Sequence, residues 1–139
     1  LSYFGAGHTD GDAWVHFEKA NVVHTGDMMF NRRHPYIDKS AGAMVSSWVE
    51  VLETAQNTYE DDTKFVFGHS GNDYDIIGSK ADLQAFQEYL EQAYNFVDKK
   101  ISDGMSPDDI KAIKSFDFKS TWQGDGIGRV LGALVEELS

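Results

Sequence analysis

The chain has 139 residues, of which 41% are hydrophobic, so we expect a single domain with a packed core. Its formal net charge is −11 and its 12 Lys and Arg residues are scattered, which argues against nucleic acid or an anionic membrane surface as a partner. The sequence has no apolar run near the ~18 residues of a membrane span. It also has no Cys, so any metal must be held by His and carboxylates.

The first 38 residues have the pattern of short strands joined by Gly-rich turns. Residues 1–4 are already strand-like, and residue 1 is Leu rather than Met, so we expect a fragment whose upstream part is missing. A second strand is predicted over residues 14–17, followed by a hairpin turn at 19–21 and a third strand from Val22. Asn21 suits the turn because Asn tolerates the left-handed conformation.

Residues 39–139 have a mainly helical pattern, with one strand inserted at 64–67. Ser40 is a candidate N-cap for the first of these helices. The core stripe predicted for that helix is Met44, Trp48, Leu52, Ala55 and Tyr59. Met28, Met29 and Phe30, on the preceding segment, are also predicted to lie in the core.

Three further helices have recognisable start or stop signals. They are a capping box at 79–82 with Gly104 as the stop, Ser106-Pro107 opening a helix to about residue 115, and an apolar repeat over 127–138. The order of the elements predicts one α/β layered domain over residues 1–139, without repeats or linkers.

Three Gly-flanked segments, at residues 5–12, 22–27 and 65–71, contain the candidate metal ligands. Each places a metal-competent side chain, His8, Asp27 or His69, at or just past the end of an apolar strand. This arrangement suits a site at a sheet edge, where loops converge. Two imidazoles and a carboxylate suit Zn²⁺, Mn²⁺ or Fe²⁺. From these residues alone, a structural role is about as well supported as a metal site.

In this order, the three segments resemble the later ligand motifs of the metallo-β-lactamase superfamily. That family has an early His-x-His-x-Asp-His motif, then a His in a Gly-x-x-His-Thr-x-Gly-Asp context, then a Thr-Gly-Asp at a strand end and a final Gly-His. His8, Asp27 and His69 match the last three positions. The resemblance covers roughly residues 3–75 and implies the C-terminal half of the four-layer αβ/βα metallo-β-lactamase fold.

The early motif is absent, since no His-x-His occurs in the 139 residues. In the family, that motif supplies ligands to both metals. The resemblance therefore implies that His8 completes one metal, that His69 completes the other, and that Asp27 bridges them. One His for each metal cannot close a four-coordinate zinc site. We therefore expect a partner: the N-terminal half of the same fold carrying the motif, or a second copy of the chain.

The resemblance implies a dinuclear zinc hydrolase that cleaves a small-molecule ester, lactone, thioester or amide through a metal-bound hydroxide. A β-lactamase subclass with Cys in place of Asp27 is disfavoured, and a bridging Asp resembles glyoxalase II and the lactonases. The run after Asp27 resembles a bacterial group of metal-dependent hydrolases, and either side of a bacterial membrane fits. We expect the parent protein to be an enzyme and these 139 residues alone to be inactive.

Other polar residues near the three segments have a functional and a structural interpretation. Asp12 and His24 could orient metal ligands, as outer carboxylates and imidazoles do. We favour a turn cap for Asp12 and a buried strand position for His24. His16 is predicted to lie at the surface.

The loop after Asp27 is a candidate substrate-contacting loop. It carries His34 and Tyr36 together with Arg32 and Arg33, and an Arg there could pair with an anionic group. A solvated loop without a substrate role is equally compatible with the sequence.

Two alternatives to the enzyme stay open. One is a non-catalytic metal-binding or interaction domain of the same fold, and the other is an α/β interaction module in which the His positions are coincidental. Because the two halves of the intact fold face each other through their sheets, this half is predicted to expose a large apolar sheet face and to be paired.

Overall fold

The computed structural model describes residues 1–118 and 120–139. Within them the chain forms one four-stranded sheet, four α-helices and a single 3-10 turn. The strands are β1 (Val15–Phe17), β2 (Val22–Asn31), β3 (Lys64–Ser70) and β4 (Ile77–Gly78). The helices are α1 (Val45–Thr58), α2 (Lys80–Ser102), α3 (Pro107–Lys111) and α4 (Ile127–Leu138), and the 3-10 turn is Lys39–Ala41. The mixed α and β class predicted from the sequence is confirmed.

The strands lie side by side in chain order. β1 and β2 form an antiparallel hairpin, and Asn21 has the predicted positive φ, 50°. β2 and β3 are parallel, with α1 as the crossover between them, and the short β4 pairs antiparallel with β3. The sequence pattern did not predict β4, because two residues are too few to show a period.

Residues 1–4 do not form the predicted strand. Ser2 makes an isolated antiparallel bridge with Trp14, with both backbone hydrogen bonds at 2.8 Å. Gly5 then turns the chain with φ 128°, towards Val51 and Ser47 of α1. The glycine ends the pairing before a strand can extend.

β2 and β3 both run further than predicted, to Asn31 and Ser70. Their pairing shifts register on either side of Gly26, which has φ 55°, and then resumes with Phe30 opposite His69. A bulge of this kind lets two strands continue past an irregular residue. Consequently Asp27 and His69 lie within strands rather than past strand ends.

The core lies on one face of the sheet, between β2 and β3 and helices α1 and α2. Val23 and Phe65 are fully buried there. Trp48 of α1 meets Phe86 of α2 edge-on, with ring centroids 5.4 Å apart, and its Nε1 donates to the Met28 carbonyl at 3.0 Å. The prediction that the two methionines, Phe30 and the Trp48 stripe lie in the core is confirmed, with Met44 as the exposed exception.

His16 was predicted at the surface, but it is half-buried. It pairs in register with the buried Val23, and its ring meets Tyr59 edge-on at 5.2 Å. Strand register therefore turns this imidazole towards the core face.

The opposite sheet face carries apolar side chains in solvent. The register places Val15, His24, Val66 and Ile77 in one row across all four strands. Val15, His24 and Ile77 are exposed, and so is Phe17 in the next row. These five residues define the outer face of the sheet.

Helix α1 begins at Val45, not after Ser40. Residues 39–41 form the 3-10 turn instead, closed by Gly42 with φ 85°. The Asp38 carboxylate caps this turn by accepting the Ser40 amide at 3.0 Å, and its hydrogen bond to the Ser40 hydroxyl lowers the pKa of Asp38. Asp38 therefore caps the 3-10 turn, and the N-terminus of α1 must be capped by a different residue.

The cap of α1 comes from the far end of the chain. Glu137 of α4 accepts the backbone N–H groups of Val45 at 2.7 Å and Ser46 at 3.0 Å. Its carboxylate also lies 3.2 Å from Lys39 Nζ. A buried carboxylate at a helix N-terminus satisfies two orphan donors and opposes the positive end of the helix dipole.

Replacing Glu137 with alanine is expected to lower the free energy of unfolding by about 2 kcal/mol, because two backbone amides of the first turn of α1 lose a charged acceptor. Glu136→Ala, at the exposed neighbouring position, is the matched control and should change stability by less than about 0.5 kcal/mol. Urea unfolding of both variants measures this. Equal losses in the two variants would show that α1 does not depend on this cap.

The predicted starts of α2, α3 and α4 are confirmed, but the predicted end of α3 is wrong. The helices start at the predicted capping box, at Ser106-Pro107 and at Ile127, and Gly104 follows α2 with φ 87°. α3 ends at Lys111 rather than near residue 115. Within residues 1–118 and 120–139, no helix has both the length and the apolar composition of a membrane span.

Candidate metal centre

Asp27 and His69 lie side by side on the neighbouring parallel strands β2 and β3. Asp27 Oδ1 is 3.1 Å from His69 Nε2, and the side chains are 46% and 41% exposed. The His69 ring stacks on Phe30, with centroids 4.6 Å apart and planes 14° from parallel. The Asp27 carboxylate oxygen and the His69 imidazole nitrogen thus face each other at a solvent-accessible position. The stacking on Phe30 fixes the orientation of the His69 ring.

Gly68 makes this approach of the two strands sterically accessible. A Cβ at residue 68 would lie 2.6 Å from Asp27 Oδ1 and 2.6 Å from the carbonyl oxygen of Gly26. These distances are far below van der Waals contact, and one of the two atoms is backbone. Glycine is therefore required at position 68 for the Asp27 carboxylate to lie where it does.

His8 lies on the loop before β1, next to the same aromatic ring. Its ring centroid is 5.9 Å from that of Phe30, 6.0 Å from Trp48 and 6.5 Å from Tyr36. The loop is anchored by the Gly7 carbonyl, which accepts the Met44 amide at 3.0 Å. Phe30 therefore adjoins both imidazoles that the sequence predicted as metal ligands.

The three predicted ligands do not form a closed metal site. In the part of the chain that the structure describes, no three His, Asp or Glu side chains are grouped so that they could hold a metal ion. Asp27 and His69 fit a zinc ion as a donor pair, since zinc accepts carboxylate oxygen and imidazole nitrogen. Two donors fall short of the four that zinc takes, so a zinc ion at this pair needs further ligands.

The residues predicted to orient ligands have contacts close to His8 and Asp27. The Asp12 carboxylate caps its turn by accepting the Thr9 amide at 2.6 Å and hydroxyl at 3.0 Å, and it lies 3.8 Å from His8 Nδ1. His24 is exposed rather than buried, because its register position belongs to the outer face. Its Nδ1 accepts the amide of Gly26, the residue before Asp27, at 3.0 Å.

The predicted substrate loop divides into an inward and an outward part. His34 turns inward, with Nδ1 2.7 Å from the Tyr89 hydroxyl and the ring against Phe116. Tyr36 is exposed beside His8, and the Arg129 guanidinium lies 5.1 Å from the centre of its ring. Sequence reasoning missed Arg129, because nothing in the repeat of α4 relates it to Tyr36.

Burial lowers the pKa of His34 below its ordinary value of 6.5. The unfolded chain therefore binds this proton more readily than the folded chain. The stability contributed by neutral His34 is fully present above about pH 6.5 and is lost as the pH falls towards the folded-state pKa.

When the pH is lowered from 7.5 to 5.5, we expect the free energy of unfolding to fall less in His34→Asn than in the native protein. The reason is that the variant lacks the buried imidazole, which takes up a proton on unfolding. Urea unfolding at the two pH values measures the difference. A native pH dependence in His34→Asn would contradict the burial argument.

The fold has a counterpart among solved structures. The crystal structure of VMB-1, a metallo-β-lactamase, is similar to this chain with a TM-score of 0.52 and 23% sequence identity. The fold is that of a metallo-β-lactamase. The similarity covers 66% of this chain and 39% of VMB-1, so the chain spans well under half of that protein. No protein-family model matches the chain, and no curated protein matches it.

Proposed function

We propose that this chain contributes His8, Asp27 and His69 to a dinuclear zinc hydrolase that cleaves an ester, lactone, thioester or amide. The observation that carries the proposal is the 3.1 Å approach of Asp27 Oδ1 to His69 Nε2 on adjacent parallel strands of a metallo-β-lactamase fold. Mn²⁺ or Fe²⁺ would suit the same donors.

A bound zinc ion would supply Lewis acidity and water of near-neutral pKa. The residues of this chain would hold and orient it. Asp27 offers carboxylate oxygens at an exposed position, and His69 is held by its stacking on Phe30. His8 is fixed among Phe30, Trp48 and Tyr36, and the exposed Tyr36 ring is available to a substrate.

The remaining ligands are proposed to come from an N-terminal half of the same fold. The outer face supports this partner, because apolar side chains in two adjacent rows are exposed there. Exposed apolar patches of this kind commonly mark protein interfaces. Sedimentation and hydrophobic-dye binding test the idea. A 139-residue chain that stays monomeric and binds no dye would contradict it, and self-association would favour a second copy as the partner.

The test of the enzyme is to read the coding sequence that precedes Leu1 and to express the whole protein. We expect a His-x-His-x-Asp-His motif upstream, and hydrolysis of an ester, lactone or thioester that a chelator abolishes and zinc restores. Absence of the motif, or hydrolysis that is insensitive to chelation, would contradict the proposal.

A non-catalytic metal-binding or interaction domain of the same fold is the second candidate. It is favoured by one observation: the described residues bring two donors, not three, within reach of one metal ion. Stoichiometric zinc binding by the whole protein, without hydrolysis of any member of the substrate panel, would identify this alternative.

A further inference from the structure

The backbone of β2 leaves regular strand pairing directly before Asp27. From His24 to Gly26 the chain advances by two residues, while its paired positions on β3 advance by one. Thr25 is therefore an extra residue in β2, and Gly26 beside it has the left-handed φ of 55°. This irregularity is a β-bulge, a feature that commonly re-aims a side chain next to a functional site.

The bulge determines where the Asp27 side chain points. Residues two apart in a regular strand share a face of the sheet, so Asp27 would share the face of Thr25, which is only 1% exposed. The Asp27 side chain is instead 46% exposed, and its Oδ1 lies 3.1 Å from His69 Nε2. The contact between the two candidate zinc ligands therefore depends on the backbone conformation at residues 25 and 26.

Two side chains of β2 hold Gly26 in this conformation. The Gly26 amide donates to His24 Nδ1 at 3.0 Å. The Gly26 carbonyl accepts from the Thr25 hydroxyl at 3.1 Å, and that hydroxyl also lies 3.2 Å from the Val66 carbonyl of β3. Side chains of its own strand thus bond both polar groups of the Gly26 backbone.

His24 is an exposed imidazole in a row of otherwise apolar side chains on the outer face. A β-branched or aromatic residue would suit a strand there at least as well. What the imidazole adds is an acceptor at Nδ1, which its neutral form provides when the hydrogen is on Nε2. Asn and Asp side chains accept the amide two residues later in the same way, so the role of position 24 lies in the hydrogen bond rather than in the ring.

We infer that His24 is a positioning residue for the proposed zinc centre: its Nδ1 holds the Gly26 amide, and the resulting bulge places the Asp27 carboxylate beside His69. The inference rests on the proposed function. Groups behind the direct ligands of a metal commonly orient them by hydrogen bonds, and their loss costs about 10–100-fold in metal affinity. His24 acts through the backbone rather than on the carboxylate itself, so we expect an effect near the lower end of that range.

The test compares the native full-length protein with His24→Phe, His24→Asn and Val15→Phe. Competition with a chromophoric chelator gives the zinc affinity, and NMR of the metal-free protein gives the hydrogen-exchange rate of the Gly26 amide. We expect His24→Phe, which keeps a ring but loses the acceptor, to bind zinc about tenfold more weakly. Its Gly26 amide should exchange about fivefold faster, the effect of losing one hydrogen bond. His24→Asn restores an acceptor and should restore both values.

Val15→Phe is the matched control, because it adds the same ring at the residue paired with His24 and leaves the bulge unchanged. It should bind zinc like the native protein. Native zinc affinity in His24→Phe would overturn the inference, as would an equal loss in Val15→Phe. Weak binding in His24→Asn as well would also overturn it, because the imidazole itself would then be required.

Hydrogen exchange separates this inference from the proposed function, because it is measured without metal. The same spectra report whether each variant is folded. If the exchange of the Gly26 amide follows the presence of an acceptor at position 24 but the native protein binds no zinc, the metal centre is refuted and the hydrogen-bonded bulge stands.

Discussion

Asp27→Ala is expected to lower the zinc affinity of the whole protein by more than about 100-fold. Removing a residue that merely orients a zinc ligand commonly costs 10–100-fold, so removing a ligand itself should cost more. Asp27 has the stronger expected effect of the neighbouring pair, since it is proposed to contact both metals. His69→Ala should lose affinity for one metal and keep part of the affinity for the other.

The matched control for Asp27→Ala is Asp98→Ala, which removes the same carboxylate from the exposed side of α2. Competition with a chromophoric chelator gives the zinc affinity of each protein. We expect Asp98→Ala to bind zinc like the native protein. Unchanged zinc binding in Asp27→Ala would show that the 3.1 Å pair is an ordinary surface ion pair.

Gly68→Ala is expected to lower the free energy of unfolding by about 2–3 kcal/mol, the upper part of the usual range for a single substitution, because the added methyl group clashes with β2. Its new methyl group would meet the Gly26 carbonyl and the Asp27 carboxylate at 2.6 Å. Because one contact is backbone, a side-chain rotation cannot relieve it, so β2 and β3 must separate locally. The same movement should displace Asp27 and weaken zinc binding.

Gly132→Ala is the matched control for Gly68→Ala. Gly132 lies within α4, and a Cβ there would have no atom within 4 Å apart from its chain neighbours and the backbone of its own helix. Since alanine favours a helix interior over glycine, this variant should gain up to about 1 kcal/mol of stability. Urea unfolding of the two variants should therefore give opposite signs. A neutral Gly68→Ala would mean that the close strand approach at Asp27 is not needed by the fold.

Local periodicity predicted much of the fold. Trp48 and Leu52 repeat at helical spacing, and both are buried, while the start signals at 79–82 and Ser106 work through residues within one turn of each other. Such short-range patterns depend only on neighbours in the chain. They are therefore readable from the sequence without the tertiary structure.

The errors arose where a distant segment decides the outcome. β2 continues past Gly26 because β3 pairs with it, and α1 starts at Val45 because Glu137 caps it from α4. His34 turns inward because Tyr89 and Phe116 surround it. No local pattern contains this information, so the sequence predicted a first helix that starts after Ser40 and placed His34 on a loop that contacts either substrate or solvent.

In the candidate site, too, some features follow from the local sequence and others from contacts between distant segments. The residue types of His8, Asp27 and His69 were identified from their Gly-rich contexts, and Asp27 and His69 do lie together. The roles of Phe30, which adjoins both imidazoles, and of Arg129, which reaches Tyr36, depend on packing between separate elements. Phe30 was predicted as a core residue, and it is one, but its position also orders the site.

The most direct measurement is the anomalous scattering of zinc in crystals of the whole protein. The account predicts a zinc ion within about 2.0–2.2 Å of a carboxylate oxygen of Asp27 and of Nε2 of His69, the normal range for such bonds. A second zinc ion should lie at His8. Crystals that bind zinc at His16 or His24 instead, or that show no zinc at Asp27 when grown with an excess of the metal, would contradict the account.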